Sequence, residues 1–522
     1  MGTIDSSRIV WVARASTLAR GVAFRRARAR LLARATQMLL LLIVFLATGC
    51  ATEQKSAPHP SLAPTTQPTV SVPLNGPPIA PMYREMLAID LPTVLRVANA
   101  RNLDIRQARE RLEANRGRYE ANVEAIFPVI APSIAYNHFQ GVGQNANGTL
   151  TGPIHFDNLV PGLSIQWILN PAVVVYDIIA SKRRMEASTQ QEQGIILETS
   201  RSAAIEYYDL MLAQARLQVA QNAVNEATEL LRITQLQVQA GTGLPADEVR
   251  AQAQLAGFQQ DVVAALDDFY QASVKLTLTL HLDPVVTLVP GPREINQATL
   301  VREDLPIEQL LETAVQYRPE MESARKLLAA AQADRGATVW GGIGPQLQAR
   351  FGVNGIKTVT PHHHFDWSEQ QKDGVGASIA LGPSTFGNIK TAKANERSAE
   401  IDVQRELDVV RAAVVSAQQA SASNAKLIPA AHRHLDAAQE ALRLTQANLQ
   451  AGTALLIDVL QAQNAEDDAR LRYVAAVVHY NQSQVNLLAA LGLLEPTTDV
   501  APTTQPALAE DSVTNALPVA TR

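Results

Sequence analysis

The 522-residue chain holds one cysteine, Cys50, and few aromatics, 5% of its residues. A single cysteine excludes an intrachain disulfide and any Cys-based metal site. So few rings exclude a large aromatic core. Ala, Gln and Leu instead recur in long runs with little Gly or Pro, the composition of long helices. Long hydrophobic runs are scarce too: the clear apolar stretch MLLLLIVFLATGC, Met38 to Cys50, is too short for a comfortable membrane span. No Ser–His–Asp phrase, zinc-binding helix, paired catalytic carboxylates or phosphate loop is recognisable, so nothing points to an enzyme or to a cofactor.

The positive charge is concentrated at the N-terminus, where residues 1–37 carry eight Arg and one acid, Asp5. With the apolar stretch and Leu46-Ala47-Thr48-Gly49 before Cys50, this region resembles a bacterial lipoprotein signal. The resemblance, which departs from the usual box at Ala47, implies cleavage after residue 49, a lipidated Cys50 and acyl anchoring, the alternative being an uncleaved anchor helix with an unmodified Cys; Ala51 is not the Asp that favours inner-membrane retention, so the implied membrane is the outer one. Without residues 1–49, 37 Lys and Arg face 49 Asp and Glu, a balance that argues against nucleic acid as a partner.

Residues 50–83 read as the lipidated Cys and a Pro/Ser/Thr-rich tether, and 495–522 as a tail of the same kind that repeats APTTQP. Between them lie two similar halves, 84–282 and 307–494, joined by an insert, 283–306. AGTGLPADEVRAQ from Ala240 returns 211 residues later as AGTALLIDVLQAQ from Ala451. Nearer each half's start, NLDIRQARERLEA from Asn102 answers RPEMESARKLLAA from Arg318. Leu210, Leu217, Val224, Leu231 and Val238 are spaced by seven, with Ala213, Ala220, Ala227 and Thr234 beside them. The pattern returns at Ile428, Leu435, Leu442 and Leu449, and a strict seven-residue repeat makes long helices supercoil.

Four segments alternate instead with period two. Leu347, Ala349, Phe351 and Val353 oppose Gln346, Gln348 and Arg350; Leu163, Ile165 and Trp167 oppose Ser164 and Gln166. Val375, Ala377, Ile379 and Leu381 form one side of 375–381, and Ile130, Ile134 and Tyr136 one side of 130–136, where Pro132 interrupts. One oily and one polar face is the pattern of a membrane barrel strand, and four strands cannot close such a barrel alone.

The duplicated order of helix, two strands, long helix, turn and helix, with the two AGT–acid turns and the closing NLLAALGLL from Asn486, resembles the TolC-type outer-membrane efflux family over about 84–494. The resemblance implies a mainly α fold with a small β part. Long antiparallel helical hairpins form an α-barrel, and four strands per chain enter a 12-stranded transmembrane β-barrel shared by a homotrimer. It implies a passive conduit for efflux or type I secretion, with a periplasmic adaptor and an inner-membrane pump as partners, outer-membrane lipid around the barrel, and no enzyme activity. The alternative is a lipid-anchored periplasmic coiled-coil scaffold without a pore.

The two turns become adaptor-docking hairpin tips: Gly241, Thr242, Gly243 and Leu244, then Gly452, Thr453, Ala454 and Leu455. Gly241 and Gly452 suit the left-handed residue that ends a helix, and Pro245 a helix start. Asp247 and Asp458 fall in first turns, where a carboxylate complements the helix dipole. The other reading of both acids is a ring of carboxylates at a periplasmic gate. Asp458 matches an acid of the family's constriction; the family's second acid is Gln461 here, and a basic residue that locks some members is Ala454. Other candidates are bland. His362–His364 read as a solvated loop rather than a metal site, residues 141–158 as the equivalent loop of the first half, and His432 and His434 as divergent on a helix. GGIGP at Gly341 reads as a flexible helix-to-strand joint.

Overall fold

The computed structural model describes residues 71–73, 86–292, 294–359, 367–451 and 453–494. Cys50, most of the tether, His362–His364, Gly452 and the tail lie outside the described residues.

Two strings of matching elements follow one another. The first is α1 (Leu91–Arg101), α2 (Leu103–Glu124), β3 (Val129–Gln144), β4 (Leu150–Leu169), α3 (Pro171–Gln239) and α4 (Pro245–Thr279). The second is α5 (Ile307–Tyr317), α6 (Pro319–Ile343), β7 (Gln346–Val359), β8 (Trp367–Ser378), α7 (Ser384–Gln450) and α8 (Leu456–Ala490). Short strands complete the set: β1 (Ser71–Pro73) pairs antiparallel with β6 (Glu294–Asn296), and β2 (Met86–Ile89) parallel with β5 (Thr287–Pro290).

Helix starts follow the sequence. Asp90 accepts the Thr93 N–H at 3.2 Å to cap α1, and Asn102 accepts those of Asp104 and Ile105 to cap α2. Proline opens α3, α4 and α6. α3 and α7 have 69 and 67 residues, so each is about 100 Å long. The core lies midway along α3, where Tyr207, Leu210 and Leu217 meet Phe269 and Leu276 of α4 and Val477 and Tyr480 of α8. Polar side chains of α8 strap the insert down: Asn481 receives the Ala298 N–H, and Gln484 those of Leu300 and Val301. Among the described residues no helix is long and apolar enough to cross a membrane.

The four long strands form one antiparallel sheet in the order β3-β4-β7-β8. Its register sets Ile130 opposite Ile165, Ile165 opposite Phe351, Leu163 opposite Val353, Trp167 opposite Ala349 and Ala349 opposite Val375. Facing residues share a face, so the oily sides of the four alternating segments merge into one apolar surface, which along β8 ends at Val375, before Asp373 opposite Phe351. Ser164, Gln166, Gln348, Arg350 and Asn354 share the other face. From Leu159 to Leu169 the apolar side of β4 runs about 33 Å; at a tilt of about 40° that is about 25 Å, the height of the apolar band of a membrane barrel. At the far end Tyr136 donates to Asp157 at 3.0 Å and His138 Nδ1 sits 2.6 Å from it, which bounds the apolar zone with polar groups.

Three expectations need correction. Residues 141–158 are not a long loop: β3 runs to Gln144 and β4 starts at Leu150, because β3 finds a partner in β4 nearly to its end. The last alternating segment stops at Ser378, opposite Gln346 where β7 begins, so among the described residues Ile379 and Leu381 have no strand to pair with. The glycine joint is close-packed rather than loose: Gly341 and Gly342 belong to α6, the Gly344 N–H donates to Trp340 O at 2.7 Å, and a Cβ on Gly344 would strike that same oxygen. Pro161 in β4 is tolerated because pairing to β7 lapses there: Val160 and Pro161 have no register partner in β7.

Candidate functional site

Both helical turns lie at the end of the long helices opposite the sheet. At the first, α3 ends on Ala240 and Gly241 takes φ +76°, the left-handed conformation that closes a helix at little cost only for glycine. The Thr242 and Gly243 N–H groups both reach Gln237 O at 2.9 Å, and the Thr242 hydroxyl donates to it at 3.1 Å. The second turn repeats this on Asn448 O: Thr453 N–H at 2.9 Å, Thr453 hydroxyl at 3.1 Å and Ala454 N–H at 3.3 Å. The threonine therefore satisfies a terminal carbonyl twice over. Sequence reasoning credited the glycine and missed this role, although Thr at the same place in both copies carried the signal. A Cβ on Gly243 would come within 3.0 Å of Val238 N; Ala454 has that Cβ, and its amide stands 0.4 Å further from the carbonyl, 3.3 against 2.9 Å.

The two acids have different work. Asp458 Oδ2 accepts the Leu455 N–H at 3.1 Å, capping α8. Asp247 instead accepts from Arg250 Nη1 at 3.0 Å. The counterpart of Arg250 is Gln461, which is exposed, so the second acid has no cation one turn on and bonds the backbone. The tips also share a surface, with Ala251, Leu456 and Leu460 packed together beside Leu230, Leu231 and Leu449. Leu244 and Leu455, at equivalent positions, remain 63% and 67% exposed and leave each tip an apolar point.

A second cluster lies a few turns above the tips. Glu466 is buried and accepts from Arg470 Nη2 at 2.6 Å and Gln439 Nε2 at 3.3 Å; Glu226 of α3 accepts from Gln463 at 3.2 Å. Asp467 has a buried Oδ2 with no hydrogen-bond partner among the described residues. Burial first, then the Glu226 and Glu466 charges, push its carboxyl up to about 7 against the pull of Arg470. Burial and Glu466 raise Glu226 as well. Where α8 has Glu466 and Asp467, α4 has Leu255 and Ala256. Laying one half on the other would have exposed this cluster, which sequence reasoning passed over.

His432 Nδ1 lies 2.8 Å from Asp436 and its ring meets Tyr473 edge-on, while His434 is exposed.

A duplicated pair of long helical hairpins with a single-faced four-stranded sheet at one end defines an outer-membrane channel fold, an α-barrel continued by a β-barrel. The outer membrane efflux protein family matches residues 94–280 and 310–493, and the chain belongs to that family. Members are channel components of tripartite efflux or secretion systems of the outer membrane rather than enzymes. Nodulation protein T of Rhizobium leguminosarum bv. trifolii is 24% identical over 412 residues, covering 75% of this chain and 83% of that protein. Outer membrane protein TolC of Vibrio cholerae is 24% identical over 364 residues, covering 67% and 81%. The Campylobacter jejuni CmeC outer membrane channel superposes with a TM-score of 0.66 at 16% identity, over 78% of this chain and 87% of that one.

Proposed function

We propose that three copies of this chain close into one passive tube, a conduit that carries cargo from a periplasmic adaptor and inner-membrane pump through the outer membrane. The observation that carries this reading is the sheet. It has one apolar face, and among the described residues β3 and β8 are each paired on one side only. An open strand edge is forbidden in lipid and at least eight strands are needed for closure. Joining β3 of one copy to β8 of the next makes a ring of twelve from three copies. The homotrimer would also cover the apolar side chains that α7 leaves exposed, among them Ile401, Val409 and Leu427. In this arrangement outer-membrane lipid faces the apolar side of the sheet, and Cys50 adds an acyl anchor.

The opposite end then carries the gate and the docking surface. Asp247, Asp458 and Gln461 stand at its mouth, and Leu244 and Leu455, beside the two Thr-capped turns, offer apolar points to an adaptor. Cysteines stepped along β3 from Ala131 to Tyr136, each combined with Gly374→Cys in β8, test the ring. Covalent trimers in denaturing gels are expected from at least one pairing; monomers from every pairing overturn it. Thr242→Cys and Thr453→Cys should cross-link to the adaptor. Asp458→Ala should change single-channel conductance and cation block, and unchanged values would leave capping as its whole role.

A further inference from the structure

We infer that the cleft beside Pro429 is a binding site for a small organic ammonium ion. It is a cavity of about 550 Å³ between the segment after β6, α7 and α8, within the size range of small-molecule pockets. Its floor is apolar, formed by Ala425, Ile428 and Pro429, with Tyr473 alongside. Its polar wall presents acceptors. Pro429 sits inside α7 and has no N–H to give, so the Ala425 carbonyl loses its helical partner at the cleft. Glu303 accepts from the Tyr480 hydroxyl at 2.9 Å, and that hydroxyl is 3.0 Å from Thr299. This anchors one oxygen of an exposed carboxylate, and among the described residues no Lys or Arg forms an ion pair with Glu303. Its neighbour Arg302 is engaged by Asp304 through two nitrogens, at 3.0 and 2.6 Å. His432, with Nδ1 held by Asp436, adds another nitrogen to the lining and a second carboxylate behind it.

A carboxylate, a freed carbonyl and an aromatic ring around an apolar floor match one ligand chemistry. An ammonium group donates to Glu303 and the Ala425 carbonyl, and its hydrocarbon body lies on Ile428, Pro429 and the Tyr473 ring. The site shares no residue with the sheet or the tips, and its α7 side, next to the exposed Leu427, adjoins the surface that the proposed trimer covers.

Equilibrium dialysis of the full chain in detergent with 2-(1-naphthyl)ethylammonium, against neutral 2-(1-naphthyl)ethanol, tests it. The cation should saturate at one per chain and bind at least tenfold more tightly than the alcohol, the scale of a hydrogen bond to a charged group. Glu303→Gln, which keeps an acceptor for Tyr480, should reduce the cation to the alcohol's affinity and leave the alcohol unchanged. Pro429→Ala returns an N–H to the Ala425 carbonyl without endangering the helix and should weaken the cation several-fold. No saturable binding by the wild-type chain, equal affinity for cation and alcohol, or indifference to both substitutions overturns the site.

Discussion

The two halves carry the same elements at nearly the same lengths, yet their long helices are not equivalent. α3 buries 24 residues and α7 only seven. α3 packs against α1, α2, α4, α6 and α8, whereas α7 is flanked by α5, α6 and α8. One repeat supplies the spine of the protomer and the other its edge. Sequence period fixes which side chains share a stripe, but neighbours decide which stripes are covered. A duplicated sequence thus yields one helix satisfied within its own chain and one with apolar surface to spare.

Leu217 and Leu427 put that difference at risk. Leu217 is 1% exposed and Leu427 53%. Leu217→Ala should cost about 2–5 kcal/mol in denaturant unfolding, as core truncations do. Leu427→Ala should cost below about 0.5 kcal/mol in a dissociated chain and lower the yield of the proposed trimer instead. Equal losses in the dissociated chain would erase the distinction between spine and edge.

The two faces of the sheet allow the next contrast. Ile165 lies mid-strand on the apolar face, between Ile130 and Phe351, and Gln348 on the polar one. Ile165→Arg should cost about 2–4 kcal/mol on folding into vesicles, the charge penalty at mid-membrane, and Gln348→Arg close to nothing. A comparable penalty at Gln348 would mean that the faces are assigned the wrong way round.

Much of this was legible in advance for a physical reason. Strands with one oily face announce themselves by period two, and the register then brings Ile165, Phe351 and Val353 onto the same side. The helices announce themselves by their seven-residue seam, and the turn by its glycine. Strand ends were not legible, because pairing rather than local preference sets them: Ile379 continues the alternation but has no partner. At the tips, the difference between Asp247 and Asp458 was invisible while each acid was read alone, since it is set by Arg250 or Gln461 one turn on. The buried acids of α8 were missed because Glu466 and Asp467 look like surface charges until α3 brings Glu226 beside them.

Those acids separate the halves by pH. The Asp467 carboxyl stands near 7 in the folded chain and about 3.9 when unfolded. Between these values the folded state binds more protons at this group, so its contribution to stability is full below about pH 4 and is lost as pH rises towards 7. One proton limits the slope to about 1.4 kcal/mol per pH unit, and partial solvation of the group lowers it. Asp467→Asn should flatten the loss in urea titrations between pH 4 and 7, with Glu226 contributing a remainder of the same sign. Ala256, the counterpart of Asp467 in α4, offers the matching control: no such slope should follow its replacement by Ser. A variant Asp467→Asn that still loses stability as steeply would relocate the titration.

The smallest effect is the most specific to the tips. If Arg250 is what draws Asp247 from the backbone, then Gln461→Arg should draw Asp458 likewise, converting the second turn into the first. The exchange gives up one capping hydrogen bond, about 0.5–1 kcal/mol, for an exposed ion pair of about 0–1 kcal/mol. The net change in stability should stay within about 0.5 kcal/mol, while the Leu455 amide, freed from its acceptor, should exchange its hydrogen faster. Arg250→Gln should do the reverse, slowing exchange at Leu244 as Asp247 turns back to cap α4. Exchange rates at both amides that ignore both substitutions would mean that the turn backbone, not the residue one turn on, directs each carboxylate.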